Sequence, residues 1–203
     1  MDSSTCTEHD AMTIEKNVCM ENSVAKSRNF VTDDGNVYIL GDFDATISIY
    51  VIYRLVSLIN AIESQKNPEI HIYVNSCGGS AYELFSMLAV LEDAKRRGIK
   101  IITHIIGVAY SAGSLLAVIG DHRIMSRYSD HLLHLGSVGT AFSTLEQLKR
   151  ETENNIKHFD KILNIYTKHT KIPRKKLCEM LKDDKLYLDA KQCLEYGLCD
   201  EII

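Results

Sequence analysis

Residues 99–120 read IKIITHIIGVAYSAGSLLAVIG, and whether they form one helix or several elements separates a membrane protein from an α/β domain. The segment is apolar enough to be mistaken for a membrane span, which needs about 20 mostly apolar residues. Lys100, His104, Ser111 and Ser114 interrupt it, however, and Gly107 and Gly113 break it into pieces. It therefore reads as a strand over 99–106, a turn from Gly107 to Gly113 and the opening of a helix from Ser114 to Ile119.

The flanking sequence repeats this alternation. Ile70-His71-Ile72-Tyr73-Val74 is rich in β-branched and aromatic residues and reads as a strand. After Gly78-Gly79, residues 81–97 place Leu84, Met87, Leu88, Val90 and Leu91 on a helical stripe that stops at Arg96-Arg97-Gly98. Upstream, a short strand is expected at 37–40 and an amphipathic helix at 47–62; the fold is expected to begin near Asn36. Downstream, 123–125 and 132–135 are strand candidates. Ser143 with Glu146 three residues later forms a capping-box signature for a long helix reaching about His169. Pro173 opens a short helix through Leu181, and Asp189 caps a last one through Tyr196. Strands alternating with helices imply an α/β fold with a parallel sheet and right-handed crossovers.

Composition narrows the function classes. The 203 residues are 45% hydrophobic and 25% charged, enough to bury one substantial core. We expect a polar arm over 1–30 and a single domain over 31–203. The formal charge of -4, from 23 basic and 27 acidic residues, offers no basic excess to attract nucleic acid. The six cysteines form neither a CxxC pair nor the Cys/His spacing of a structural zinc site, so no metal or cofactor is expected and reduced thiols fit a cytoplasmic setting. The first residues, MDSSTCTEHDAMTIEK, carry acids where a secretory signal has a basic region, so export by that route is not expected.

Two glycine-rich loops follow consecutive parallel strands: Asn75-Ser76-Cys77-Gly78-Gly79 and 107–113. That sheet edge is where open α/β sheets bind ligands. Glycine permits close backbone approach and lets peptide N–H groups face a developing negative charge. Ser111, at a strand-to-helix turn, is presented as a nucleophile.

The motifs IxIYVNSCGG at 70–79, GVAYSAGSLLA at 107–117, SDHLLH at 129–134, His169-Thr170 and AxxCLEYGLCDEII at 190–203 together resemble the proteolytic subunit of the Clp protease, in order from about Val37 to the C-terminus. The resemblance implies a ClpP/crotonase-like fold of repeated β-β-α units with a parallel sheet and a long handle helix, assembled as an oligomeric ring. It places Ser111 on the family's catalytic serine and His134 on its catalytic histidine, with His131 as the second choice. Gly79 and Ala112 fall on the positions whose amides form the oxyanion hole. A serine endopeptidase acting on unfolded polypeptide through an acyl-enzyme is implied. So is a homo-oligomeric ring, heptameric and possibly double, working with an ATP-dependent AAA+ unfoldase.

The resemblance frays at the third catalytic residue. Direct counting puts the family's aspartate on Met180 or Leu181; with a small insertion it falls on Asp183, with Asp184 as second choice. Cys77 stands where the family has proline and is expected to pack as a small apolar residue. The segment 135–139 is less glycine-rich than the family's, and the N-terminal arm does not match its axial segment. Two rivals follow: a catalytically weak or inactive subunit in a mixed ring with a paralogue, and a crotonase-fold acyl-CoA enzyme that needs no serine–histidine pair.

Overall fold

The computed structural model describes residues 28–32, 34–136, 144–182 and 185–203. The expected N-terminal arm, apart from its last residues, lies outside them. A mixed sheet runs β1 (Asn29–Val31), β2 (Asn36–Ile39), β3 (Glu69–Ser76), β4 (Lys100–Tyr110), β5 (His122–Met125), β8 (Glu201–Ile202); β6 (Asp130–Leu133) also pairs with β4, and β7 (Leu186–Asp189) pairs with β6. The β2–β3, β3–β4, β4–β5, β4–β6 and β5–β8 pairs are parallel, while β1–β2 and β6–β7 are antiparallel. The expected α/β class with a mostly parallel sheet is what the chain forms.

The expected helix at 47–62 forms with a change of winding: a π-helical stretch Ile47–Ile52 runs into α1 (Tyr53–Ile62). The wide turns coincide with β-branched Ile47, Ile49, Val51 and Ile52, whose branched side chains crowd a tight α-turn. Helix α2 (Ala81–Arg96) is capped by Ser80, which accepts a hydrogen bond from Glu83 N, and it buries Leu84, Met87, Leu88, Leu91 and Ala94. Helix α3 (Ala112–Val118) is buried along its whole length.

The long helix α4 (Leu145–His169) begins one residue later than expected, because Thr144 and Gln147 form the capping box. Only its C-terminal part enters the core, through Ile162, Leu163 and Tyr166, while Leu145, Leu148 and Ile156 are exposed. A handle projecting from the domain is the result. Helices α5 (Arg174–Met180) and α6 (Ala190–Tyr196) complete the chain, α6 with an Asp189–Gln192 capping box and a left-handed Gly197 at its end.

Strands β1, β7 and β8 were not expected. The fold begins at least as early as Asn29 rather than near Asn36, since β1 pairs with β2 and buried Asn29 bonds Gly41 N and Asp42 O. Strand β4 runs on to Tyr110, so most of the stretch expected as a turn is extended, and α3 starts at Ala112 rather than Ser114.

Arg123 fastens the C-terminal segment to the sheet. Its guanidinium donates to both carboxylate oxygens of Asp200, at 2.8 and 2.6 Å, and to the carbonyls of His169 and Gly197. That planar fork serves several acceptors from one largely buried charge. The bond to Arg123 holds the Asp200 carboxyl below the usual carboxylate range. A depressed carboxylate contributes stability above its unfolded pKa of about 3.9 and loses it as pH falls through the folded value. Arg123→Met is expected to cost about 3 kcal/mol in urea denaturation at pH 7, with the gap from wild type narrowing below about pH 4.

Candidate active site

The site is built by the way β4 slips on β3. Residues 69–74 pair in order with 100–105, but Ser76 then pairs with Ala109, so β4 carries extra chain opposite Asn75. The Asn75 side chain fills that irregularity: its Oδ1 accepts from Val108 N at 3.1 Å. Residue 107 must then lack a side chain, since a Cβ there would lie 2.3 Å from Asn75 Oδ1. The slip carries the end of β4 level with the glycine loop after β3.

At that end the chain turns sharply. Ser111 adopts φ 54°, ψ -117° and stands at the N-cap of α3. A non-glycine residue in that region is strained, and such strain persists only where surrounding contacts dictate it. They do so here: Ser111 N donates to Leu132 O at 2.9 Å, tying the turn to β6. Two residues beyond Leu132, just past β6, the half-buried His134 places its Nε2 2.6 Å from Ser111 Oγ. The serine and histidine singled out from sequence are thus in hydrogen-bond contact.

The glycine loop closes the other side. Gly78 has φ 105°, and a Cβ there would lie 2.6 Å from Ser111 Cβ and 2.9 Å from Tyr110 O. Gly79 has φ 134°, and its Cβ would meet Phe43 O at 2.5 Å. Phe43 N donates to Gly78 O, and Ser80 N donates to Phe43 O, both at 2.7 Å, which pins the loop. Because a trans peptide points its N–H opposite to its C=O, the Gly79 N–H faces away from Phe43. The Ala112 N–H belongs to the first turn of α3, where helix geometry supplies no i−4 acceptor. Two backbone donors therefore flank the serine turn.

The remaining sequence candidates separate. His131 is wholly buried on the opposite face of β6 and bonds Ser114 Oγ, not Ser111. Burial, with a smaller push from Arg123, lowers its pKa to about 3, so it stays neutral and is not a proton acceptor at neutral pH. Asp183 and Asp184 lie outside the described residues. Leu181, one of the direct-count positions for the aspartate, is a core residue. Cys77 is exposed rather than packed, a correction that follows from strand alternation: it comes just after buried Ser76, and its side chain leaves the core. Among the described residues, no group of three His, Cys, Asp or Glu side chains is placed to hold a metal ion, and no helix is long and apolar enough to cross a membrane.

Sequence reading missed Asn75 as the residue that fills the β3–β4 irregularity ahead of the Ser111 turn. Its place beside Gly107 on the neighbouring strand was the available signal, and it needed the register to be seen. The fold and this contact define an α/β protein with a serine–histidine pair at the carboxyl edge of a parallel sheet. The family model for Clp protease matches residues 20–203. The ATP-dependent Clp protease proteolytic subunit of Deinococcus radiodurans is 31% identical over 153 residues, covering 73% of this chain and 72% of that protein. The chain belongs to the Clp protease family, and at the family level it is a peptidase of Clp type.

Gly78→Ala tests the packing of the site. The added Cβ collides with Ser111 Cβ at a backbone angle that alanine avoids. The expected outcome is a loss of at least about 2 kcal/mol in thermal unfolding and a more than about 100-fold drop in the rate of peptide hydrolysis.

Proposed function

We propose that this chain is a serine endopeptidase in which Ser111 attacks the scissile carbonyl and His134 acts as general base. The observation that carries this reading is the 2.6 Å contact between Ser111 Oγ and His134 Nε2 at a strained strand-to-helix turn. A serine hydroxyl is a weak nucleophile until a base removes its proton, and a neutral imidazole at this distance is within transfer range. As Oγ bonds to the carbonyl carbon, its proton passes to His134 Nε2. The carbonyl oxygen gains the negative charge, which the Gly79 and Ala112 amides would receive. His134 then gives the proton to the departing amine, leaving an acyl-enzyme. Water repeats the sequence and restores the serine.

The third member is Asp183 in this reading, with Asp184 as second choice, orienting the imidazolium that forms in each half-reaction. The serine–histidine contact favours the peptidase over an acyl-CoA enzyme of the same architecture, which needs no such pair. By extension from the family, the substrates are unfolded polypeptides and the working form is a cytoplasmic ring of copies, fed by an ATP-dependent AAA+ unfoldase. The exposed apolar residues of the handle, Leu145, Leu148 and Ile156, supply surface for such packing.

Hydrolysis of an unstructured fluorogenic peptide tests the assignment. Ser111→Ala and His134→Ala are each expected to lower kcat by at least about 1,000-fold with folding retained; rates equal to wild type would end the reading. Asp183→Asn is expected to lose about 100- to 10,000-fold, and Asp184→Asn to stay near wild type. The reverse pattern would move the third role to Asp184.

A further inference from the structure

Behind the serine–histidine pair, the apolar core contains a chain of three fully buried polar side chains. Tyr166 of α4 donates its hydroxyl to Ser114 Oγ of α3 at 3.0 Å, and Ser114 Oγ lies 2.9 Å from His131 Nδ1 of β6. Tyr166 donates, so Ser114 Oγ is an acceptor toward the handle, and its contact with His131 Nδ1 is a hydrogen bond in either imidazole tautomer. His131 Nε2 is buried and has no hydrogen-bond partner among the described residues. Burial keeps the Tyr166 hydroxyl protonated, pushing its pKa up, and keeps His131 neutral. The three groups thus keep the same net charge, zero, across the whole working pH range.

Their placement relates directly to the reacting pair. Ser114 sits three residues after Ser111 in the first turn of α3, and His131, within β6, three residues before His134. Helix α3 and β6 are joined twice: by the backbone bond from Ser111 N to Leu132 O, and by the Ser114–His131 side-chain bond. The first continues the β4–β6 ladder, which registers the Ser111 end of the helix on β6, and the second adds a tie one turn further along α3. Together with the β4–β6 register, the seating of α3 on β6 sets the direction of the Ser111 turn toward His134. Tyr166 locks the second bond from the foot of the handle helix. Three apolar side chains would fill this volume without the requirement for mutual hydrogen bonding, but they would specify that seating less sharply.

We propose that Tyr166, Ser114 and His131 are positioning residues that hold Ser111 and His134 at proton-transfer distance. This inference rests on the Ser111–His134 reading and extends it to a handle residue that does not touch substrate. Displacement of catalytic groups by about 1 Å costs on the order of 100-fold in rate, so a partial loosening should cost less.

The test measures peptide hydrolysis and unfolding midpoint for Tyr166→Phe, Ser114→Ala, their double variant and Ser111→Ala. The first two remove one hydroxyl each and keep the surrounding shape. Expected are an inactive Ser111→Ala and, for each hydroxyl variant, a kcat about tenfold lower with KM within about twofold. The double variant should be no slower than Ser114→Ala alone, because the hydroxyls act in series. Should Ser114→Ala fail to fold, Tyr166→Phe alone decides. Wild-type kcat in the hydroxyl variants with Ser111→Ala inactive would overturn the positioning role and leave the nucleophile standing. Losses confined to KM, or additive losses in the double variant, would also overturn it. An active Ser111→Ala would remove the reading beneath it.

Discussion

The constraint on which this structure depends is the offset of β4 against β3. In plain parallel register, the loops after the two strands would end at different levels, and the Gly78 turn would not meet the Ser111 turn. The extra chain opposite Asn75 removes that mismatch, and the Asn75 amide holds it by bonding Val108 N. Gly107, Gly78 and Gly79 are then glycine for one shared reason: at each position a Cβ would occupy space already filled by another part of the site. Strain at Ser111 follows from the same crowding.

Polar groups elsewhere in the interior serve the same end. Arg123 binds the C-terminal Asp200 and two carbonyls, closing the last strand onto β5. Tyr166, Ser114 and His131 join handle, helix and strand in the layer beneath the serine–histidine pair. Buried polar groups are costly when left unmatched, and a matched set rewards only the arrangement in which its partners meet. The core therefore selects a geometry as well as a fold.

Much of this was legible from residue order. The period of apolar positions located α2 and the buried part of α4, and the run 70–74 located β3. Ser111 was marked by a glycine loop at a strand-to-helix turn and His134 by the family resemblance, and the fold brings the two into hydrogen-bond contact. The failures have physical causes. Strand β4 was cut short at Gly107 because glycine was read as punctuation, whereas here it makes room for Asn75. Strands β1, β7 and β8 are too short to show a period and are held by pairing with distant segments. Ser143–Glu146 and Thr144–Gln147 are overlapping capping signatures, and local sequence does not choose between them; the helix uses the second. Cys77 was judged by residue type, but strand alternation turns it outward. The buried Tyr166–Ser114–His131 chain had no signature at all, since its members are far apart in sequence and meet only in the folded core.

The central claim is that one hydroxyl, activated by one imidazole, performs the chemistry. Intact-mass and peptide mapping after reaction with a fluorophosphonate measures this most directly. The account predicts a single adduct per chain on Ser111, absent when His134 is replaced by alanine. A preparation that hydrolyses peptides yet carries no adduct, or carries it on another residue, would contradict the account.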